Sequence, residues 1–152
     1  MSHYFALAFV TPNVQRQGAQ AIAVEVARLM EPHNIHAAST TAGEEFNPRG
    51  QWDAWEIGGR NDGVIMGRVS VSKESDDRSE EGVLARNLCA VSDLPEDMVP
   101  FVVVTPDGAW HMEGVVGTFG DAFDLDMYWE DKYDELCERY ADCLAVGLDC
   151  HI

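Results

Sequence analysis

Apolar residues run almost unbroken from His3 to Val10, a length that suits a strand buried on both faces or set centrally in a sheet. Thr11-Pro12 then reads as a helix start, with threonine as N-cap and proline in the first turn, where its missing N–H costs nothing. The pattern predicts a helix from Pro12 to about Met30, with Gly18, Ile22, Val26 and Leu29 on one face and Pro32 as its stop. No period follows between His33 and Gln51, where Thr40-Thr41-Ala42-Gly43 and Asn47-Pro48-Arg49-Gly50 carry turn chemistry. A long surface connection is expected there.

Trp52 to Arg60 is expected to be a strand, with Asp53, Trp55 and Ile57 on one face and Trp52, Ala54 and Glu56 on the other. Gly58-Gly59 would then mark a bulge or a close backbone approach, Asn61-Asp62-Gly63 a turn, and Val64 to Val71 the return strand. Lys73 to Glu81 is charged and free of apolar residues, a solvated loop. Ser79-Glu80-Glu81-Gly82 can cap a short helix through about Ala90. Met98 to Thr105 predicts a strand, Pro106-Asp107-Gly108 a turn, and Ala109 to Val116 the hairpin partner. Asp121 to Tyr140 predicts a helix with Asp124 as N-cap and a stripe of Leu125, Trp129, Leu136 and Tyr140 with Tyr133 beside them. Cys143 to Ile152 is a closing strand.

This order predicts an α+β fold in one domain spanning 1–152, a two-layer sandwich whose helices cover one face of a largely antiparallel sheet. The expected core is Phe5, Leu7, Phe9, Ile22, Val26, Leu29, Ile65, Val102, Val104, Trp129, Leu136, Val146 and Leu148. A chain of 152 residues can bury roughly 70% of its unfolded surface, and the 46% hydrophobic content supplies what is needed to do so. The N-terminus lacks a basic stretch followed by an apolar run, and no apolar stretch approaches the length of a membrane span. A soluble protein that is not exported is expected, in the cytoplasm. Cys89, Cys137, Cys143 and Cys150 show no C-x-x-C spacing and are read as buried free thiols.

Charge changes the picture most. The chain holds 27 acids against 10 bases, a formal net charge of −17, and the imbalance is lopsided. Residues 1–72 hold seven acids and five arginines, a net −2; residues 73–152 hold twenty acids and five bases, a net −15. Such a field repels nucleic acid and attracts basic surfaces. It is densest on the expected C-terminal helix, where Asp126, Glu130, Asp131, Asp134, Glu135 and Glu138 face only Lys132 and Arg139. Acids continued to Glu138 oppose the helix dipole at its C-terminal end, so stability alone would not select them. Solubility is the plain explanation; a surface for a basic partner is the functional one.

Two other groupings could carry chemistry. Trp52, Trp55, Gly58, Gly59 and Arg60 offer aromatic faces, bare backbone N–H groups and a guanidinium, the minimum for holding a small phosphorylated ligand. Set against this, Arg60 would simply pair with Asp53 or Glu56, and at least one tryptophan would enter the core. Asp149-Cys150-His151 resembles a catalytic cluster only on paper. In a strand Cys150 and His151 point to opposite faces, so a nucleophilic cysteine would need another base such as His111, and a structural role for His151 at the sheet edge is the better reading. No metal is expected: His33 and His36 lack a partner cluster, and Asp124-Leu125-Asp126 lacks the glycine and spaced glutamate of a calcium loop. No nucleotide-binding glycine fingerprint is present, and no cofactor is expected.

The nonapeptide Trp52-Asp53-Ala54-Trp55-Glu56-Ile57-Gly58-Gly59-Arg60 resembles a W-D-x-[WY]-x-[IV]-G-G-R signature of small bacteriophage and prophage proteins with no assigned activity. Those proteins tend to carry T-P-D-G-x-W-H, here Thr105 to His111, and to end in D-C-H-I, here Asp149 to Ile152. The resemblance covers roughly the C-terminal two thirds and implies an origin in a phage or mobile element acting in a bacterial host. With the charge split, it leads to the expectation of a small non-enzymatic protein that inhibits a basic, nucleic-acid-binding host protein through the acidic helix. An anti-CRISPR or other anti-defence inhibitor that imitates nucleic acid is one form of this. The alternative is a small-ligand or nucleotide-sequestering protein built on Trp52 to Arg60, and an enzyme using Cys150 with His111 or His151 stands third.

Overall fold

The computed structural model describes residues 2–36, 50–67, 77–116, 122–123 and 125–152. Its elements in chain order are β1 (His3–Val10), α1 (Ala19–Met30), β2 (Ala54–Ile57), α2 (Glu80–Arg86), β3 (Leu88–Ala90), β4 (Val102–Val104), β5 (Trp110–Met112), β6 (Val115–Val116), β7 (Ala122–Phe123), α3 (Trp129–Arg139) and β8 (Leu144–His151). Among the described residues the main sheet has six strands in the order β2-β8-β1-β4-β5, with β3 joining β2 on the same edge of β8. Every pairing in it is antiparallel except β1 with β4. The α+β class and the mostly antiparallel sheet are as expected.

The layering is fuller than expected. Alternate residues of β1 enter two different cores. Ala6, Ala8 and Val10 meet Ile22, Val26, Leu29 and Met30 of α1 and Leu84 of α2, whereas Leu7 and Phe9 meet Trp129, Tyr133 and Leu136 of α3. The unbroken apolar run of His3 to Val10 has this cause: β1 is covered on both sides. α3 is fastened to its face by the Trp129 indole, which donates to Pro100 O at 2.8 Å. Of the expected core only Phe5 is partly exposed; the others are buried.

Several local expectations change. Pro12 opens a 3-10 turn over Pro12–Gln17 rather than a long α-helix, and Thr11 makes no side-chain cap. Gly18, at φ 98°, breaks the chain before α1 and is exposed, so the buried stripe begins at Ile22. The start of the expected return strand, Val64–Met66, is instead a 3-10 turn between glycines in the left-handed region, and the rest of that expectation, from residue 68 on, lies outside the described residues. The helix capped by Ser79, whose hydroxyl accepts from Gly82 N–H, ends at Arg86 and not at Ala90. The residues that follow, β3, pair with β8 instead of extending the helix. Replacing Ser79 with Ala should cost about 1 kcal/mol in chemical unfolding, because one N-terminal N–H loses its acceptor.

β8 is the hub. It is not a closing edge strand: β1 runs along one side for its whole length, and β2 and β3 share the other. The handover falls at Gly147, whose N–H donates to Asn87 O while its carbonyl accepts from Gly58 N–H. α3 starts later than expected, at Trp129, with no side-chain cap; just before it the Asp126 carboxylate accepts from Tyr128 N–H, and the expected cap Asp124 lies outside the described residues. Most of the expected connection from His33 to Gln51 also lies outside them. Asn34 bridges to Trp52 where the chain is described again.

Candidate functional site

The strand register at one end of the sheet collects four polar side chains. Cross-strand pairing sets His3 opposite His151 and Phe5 opposite Asp149, while Ala54 and Glu56 of β2 stand opposite His151 and Asp149. Side chains two apart share a face, so Asp149 and His151 project together and Cys150 projects to the other side. Asp149 is 3% exposed and fully engaged. Its Oδ1 accepts from His3 Nδ1–H at 2.9 Å and its Oδ2 from Arg60 N–H at 3.0 Å. Asp53, at the bend before β2, accepts from His151 Nδ1–H in the same way. The two imidazoles meet edge to face, 4.8 Å between centroids. An ionised carboxylate can only accept, so each ring carries its proton on Nδ1 and presents Nε2 as its basic nitrogen.

The diglycine makes this corner possible. Gly58 N–H donates to Gly147 O as the last rung beside β8, and the chain then turns through positive φ at Gly58 and Gly59 into a short 3-10 turn, Gly59–Asn61. That turn lays Arg60 N–H on Asp149. The Arg60 side chain is exposed and, among the described residues, makes no hydrogen bond or ion pair. The expected pairing with Asp53 or Glu56 does not form, because Asp53 is taken by His151.

The tryptophans of the signature do different work from a ligand platform. Trp52 is buried, and its indole donates to Met30 O at 2.8 Å at the end of α1. Trp55 packs edge-on against it, 6.4 Å between centroids, on the same core. The bend at Asp53 breaks the alternation, so Trp52 shares a side with Trp55 instead of opposing it, and the two lock the start of β2 beneath α1. Of the expected ligand-binding set, Trp52 therefore has no face to offer, the Gly58 N–H is spent on Gly147 O and the Arg60 N–H on Asp149, and the capacity to hold an anion rests with the Arg60 side chain.

Cysteine catalysis finds no support. Cys150 is fully buried beside Tyr4 on the α1 side, and burial, reinforced by the Asp149 charge, pushes its thiol far above the ordinary range. His111 lies on β5, with β1 and β4 between it and β8. It hydrogen-bonds to Thr105 at 3.1 Å, and burial holds its imidazole below the usual value. The other thiols are also free; Cys89 is raised to about 11 by burial and by Asp93. His33 bonds to Gly108 O and packs against the Trp110 ring at 4.8 Å. Among the described residues no group of histidine, cysteine and carboxylate side chains is arranged to hold a metal.

The acidic candidates of α3 divide in two. Trp129, Tyr133 and Leu136 turn inward, leaving Glu130, Asp131, Asp134, Glu135 and Glu138 exposed. Asp126 is engaged by Lys132 and Glu135 by Arg139, at 2.8 Å for the latter. Glu130, Asp131, Asp134 and Glu138 have no ion-pair partner among the described residues. Directly before the helix, Leu125, Met127 and Tyr128 are 57%, 84% and 61% exposed.

The residues missed as a site by reading the chain are His3, Asp53 and Asp149. Alternation alone puts Asp149 and His151 on one face, a signal that was available; the arrival of His3 and Asp53 from the far end and middle of the chain was not. No helix among the described residues is long and apolar enough to cross a membrane. Comparison with protein-family models, with curated proteins and with solved structures gives no match, so the site is read from its own chemistry.

Proposed function

We propose that this chain is a small binding protein that engages a basic, nucleic-acid-binding protein through the outer face of α3. The observation that carries the reading is the ladder of Glu130, Asp134 and Glu138, without ion-pair partners among the described residues, on successive turns of a helix that follows the exposed Leu125, Met127 and Tyr128. Residues four apart on a helix rise about 6 Å, close to the spacing of backbone phosphates. Exposed apolar side chains next to such a ladder supply contact area that charge alone lacks. Together with the resemblance to phage proteins, this supports an inhibitor acting in the cytoplasm of a bacterial host, of which an anti-CRISPR or other anti-defence protein is the form in view.

The test is recovery of partners by the tagged protein from nuclease-treated bacterial lysate at low and high salt, alongside the triple substitution Glu130→Gln, Asp134→Asn and Glu138→Gln. A basic nucleic-acid-binding protein should be retained at low salt and lost at high salt. The triple variant should bind it about tenfold more weakly or worse while melting like the parent. Retention indifferent to both salt and substitution would remove the acidic face from consideration.

A second reading, a small-ligand or nucleotide-binding protein, is favoured by one observation: Arg60, whose backbone N–H is bound to the Asp149 of the His3–His151 corner, has an exposed side chain with no ion pair among the described residues. It gives up Trp52 as a stacking platform and the Gly58 N–H as an anion donor, and rests on the Arg60 side chain and the histidines.

A further inference from the structure

We infer that His3 and His151 form an acid–base pair that hydrolyses a small phosphodiester, with Arg60 holding its non-bridging oxygens. The inference rests on the small-ligand reading of this corner and is independent of the acidic face of α3. The geometry is specific. Two imidazoles lie 4.8 Å apart, and each is fixed through Nδ1 by its own carboxylate, Asp149 or Asp53. A carboxylate on Nδ1 sets the tautomer, holds the ring in place and stabilises the imidazolium when Nε2 takes a proton. One such dyad is an ordinary way to orient a buried histidine. Here two stand side by side, and both side chains keep some exposure, 30% for His3 and 16% for His151.

A reaction that needs both a base and an acid at one centre is displacement at phosphorus. The neutral imidazole takes a proton from water through Nε2 as the water oxygen bonds to phosphorus. The protonated imidazole gives its Nε2 proton to the leaving alkoxide oxygen as the phosphorus–oxygen bond breaks. The products are a phosphate monoester and an alcohol, and the two rings exchange roles through solvent. No protein nucleophile is required, which agrees with Cys150 pointing to the opposite face. Arg60 suits a phosphoryl group because a planar guanidinium can bond two oxygens at once, and its backbone is tied to the same Asp149 that holds His3. The twenty acids of residues 73–152 bear on substrate size: repulsion grows with ligand charge, so a singly charged diester such as a cyclic mononucleotide is repelled far less than a polyanion.

The experiment uses the intact protein with bis(p-nitrophenyl) phosphate, a 2′,3′-cyclic mononucleotide and a 3′,5′-cyclic mononucleotide. Product release is followed across pH and binding is measured separately by calorimetry. Turnover of at least one diester with a bell-shaped pH profile is expected, falling about 10²–10⁴-fold in His3→Gln and in His151→Gln. Arg60→Ala, which removes an exposed side chain with no hydrogen bond or ion pair among the described residues, should raise KM while melting like the parent. Binding without turnover of any diester would overturn the acid–base pair and leave the small-ligand reading standing. Neither binding nor turnover would overturn both. Turnover unchanged in Arg60→Ala and His151→Gln would equally overturn the assignment.

Discussion

Replacing Asp62 with Ala should lower stability by about 3 kcal/mol and the melting temperature by roughly 6–12 °C, measured by urea and thermal unfolding. Asp62 is 5% exposed and neutralises a buried junction. Arg86 forks onto it through Nε and Nη2, both at 3.2 Å, Arg78 adds a contact at 3.1 Å, and the fully buried Asn87 donates to it at 2.8 Å. Asn87 in turn accepts from Gly63 N–H, and its carbonyl accepts from Gly147 N–H in β8. Removing the carboxylate leaves Arg86, only 15% exposed, without its bidentate acceptor next to the hub of the sheet. Burial by itself would raise the Asp62 carboxyl, but the bonds from Arg86 and Asn87 outweigh it and hold the group below its usual value. A carboxylate depressed in the folded state stabilises fully above its unfolded value, about pH 4, and loses that contribution as pH falls through the folded value. The parent should therefore lose stability faster than Asp62→Ala or Asp62→Asn below about pH 4, and the gap between them should close. Parallel acid-unfolding curves would contradict this role.

Gly59→Ala should cost about 2–5 kcal/mol and disturb the histidine corner directly. At φ +54° an L-residue is strained by about 1–2 kcal/mol. A Cβ there would also lie 2.6 Å from both Cβ and Oδ2 of Asp149 and 2.8 Å from Glu56 Oε1. Glu56 is exposed and can swing away. Asp149 cannot, because His3 and Arg60 N–H hold it, so the clash adds about 1–3 kcal/mol of overpacking. Histidine resonances of His3 and His151 should shift in the variant relative to the parent. An unshifted pair together with a small stability loss would mean that Asp149 is not the fixed point described.

Periodicity alone decides the short segments: the apolar run of β1, the turn at Pro106-Asp107-Gly108 and the inward stripe of Trp129, Tyr133 and Leu136 follow from side chains that sort by burial, although Leu125, expected on that stripe, precedes the helix and is 57% exposed. Elsewhere a nearby partner overrides a local preference. Pro12 is as good a start for a 3-10 turn as for a helix, and Gly18 settles which. Leu88 to Ala90 would continue a helix on propensity, but the open edge of β8 claims them. Trp52 was expected opposite Trp55 on strict alternation; its indole instead follows the free carbonyl of Met30 at the end of α1.

The candidate site divides in the same way. Local pattern alone establishes that Asp149 and His151 share a face, that Cys150 does not, and that α3 presents carboxylates outward, because these follow from the periods of strand and helix. Folding in three dimensions decides that β8 is central, that β1 pairs with β4 in parallel, that α1 and α3 cover opposite faces, and that His3 reaches Asp149 across 146 residues of chain. The entropic cost of closing a loop rises only slowly with its length, so sequence distance forbids few pairings, and the choice among them falls to packing on both faces of the sheet. That choice is made by the whole core at once, which is why the corner of His3, Asp53, Asp149 and His151 appears only after the chain has folded.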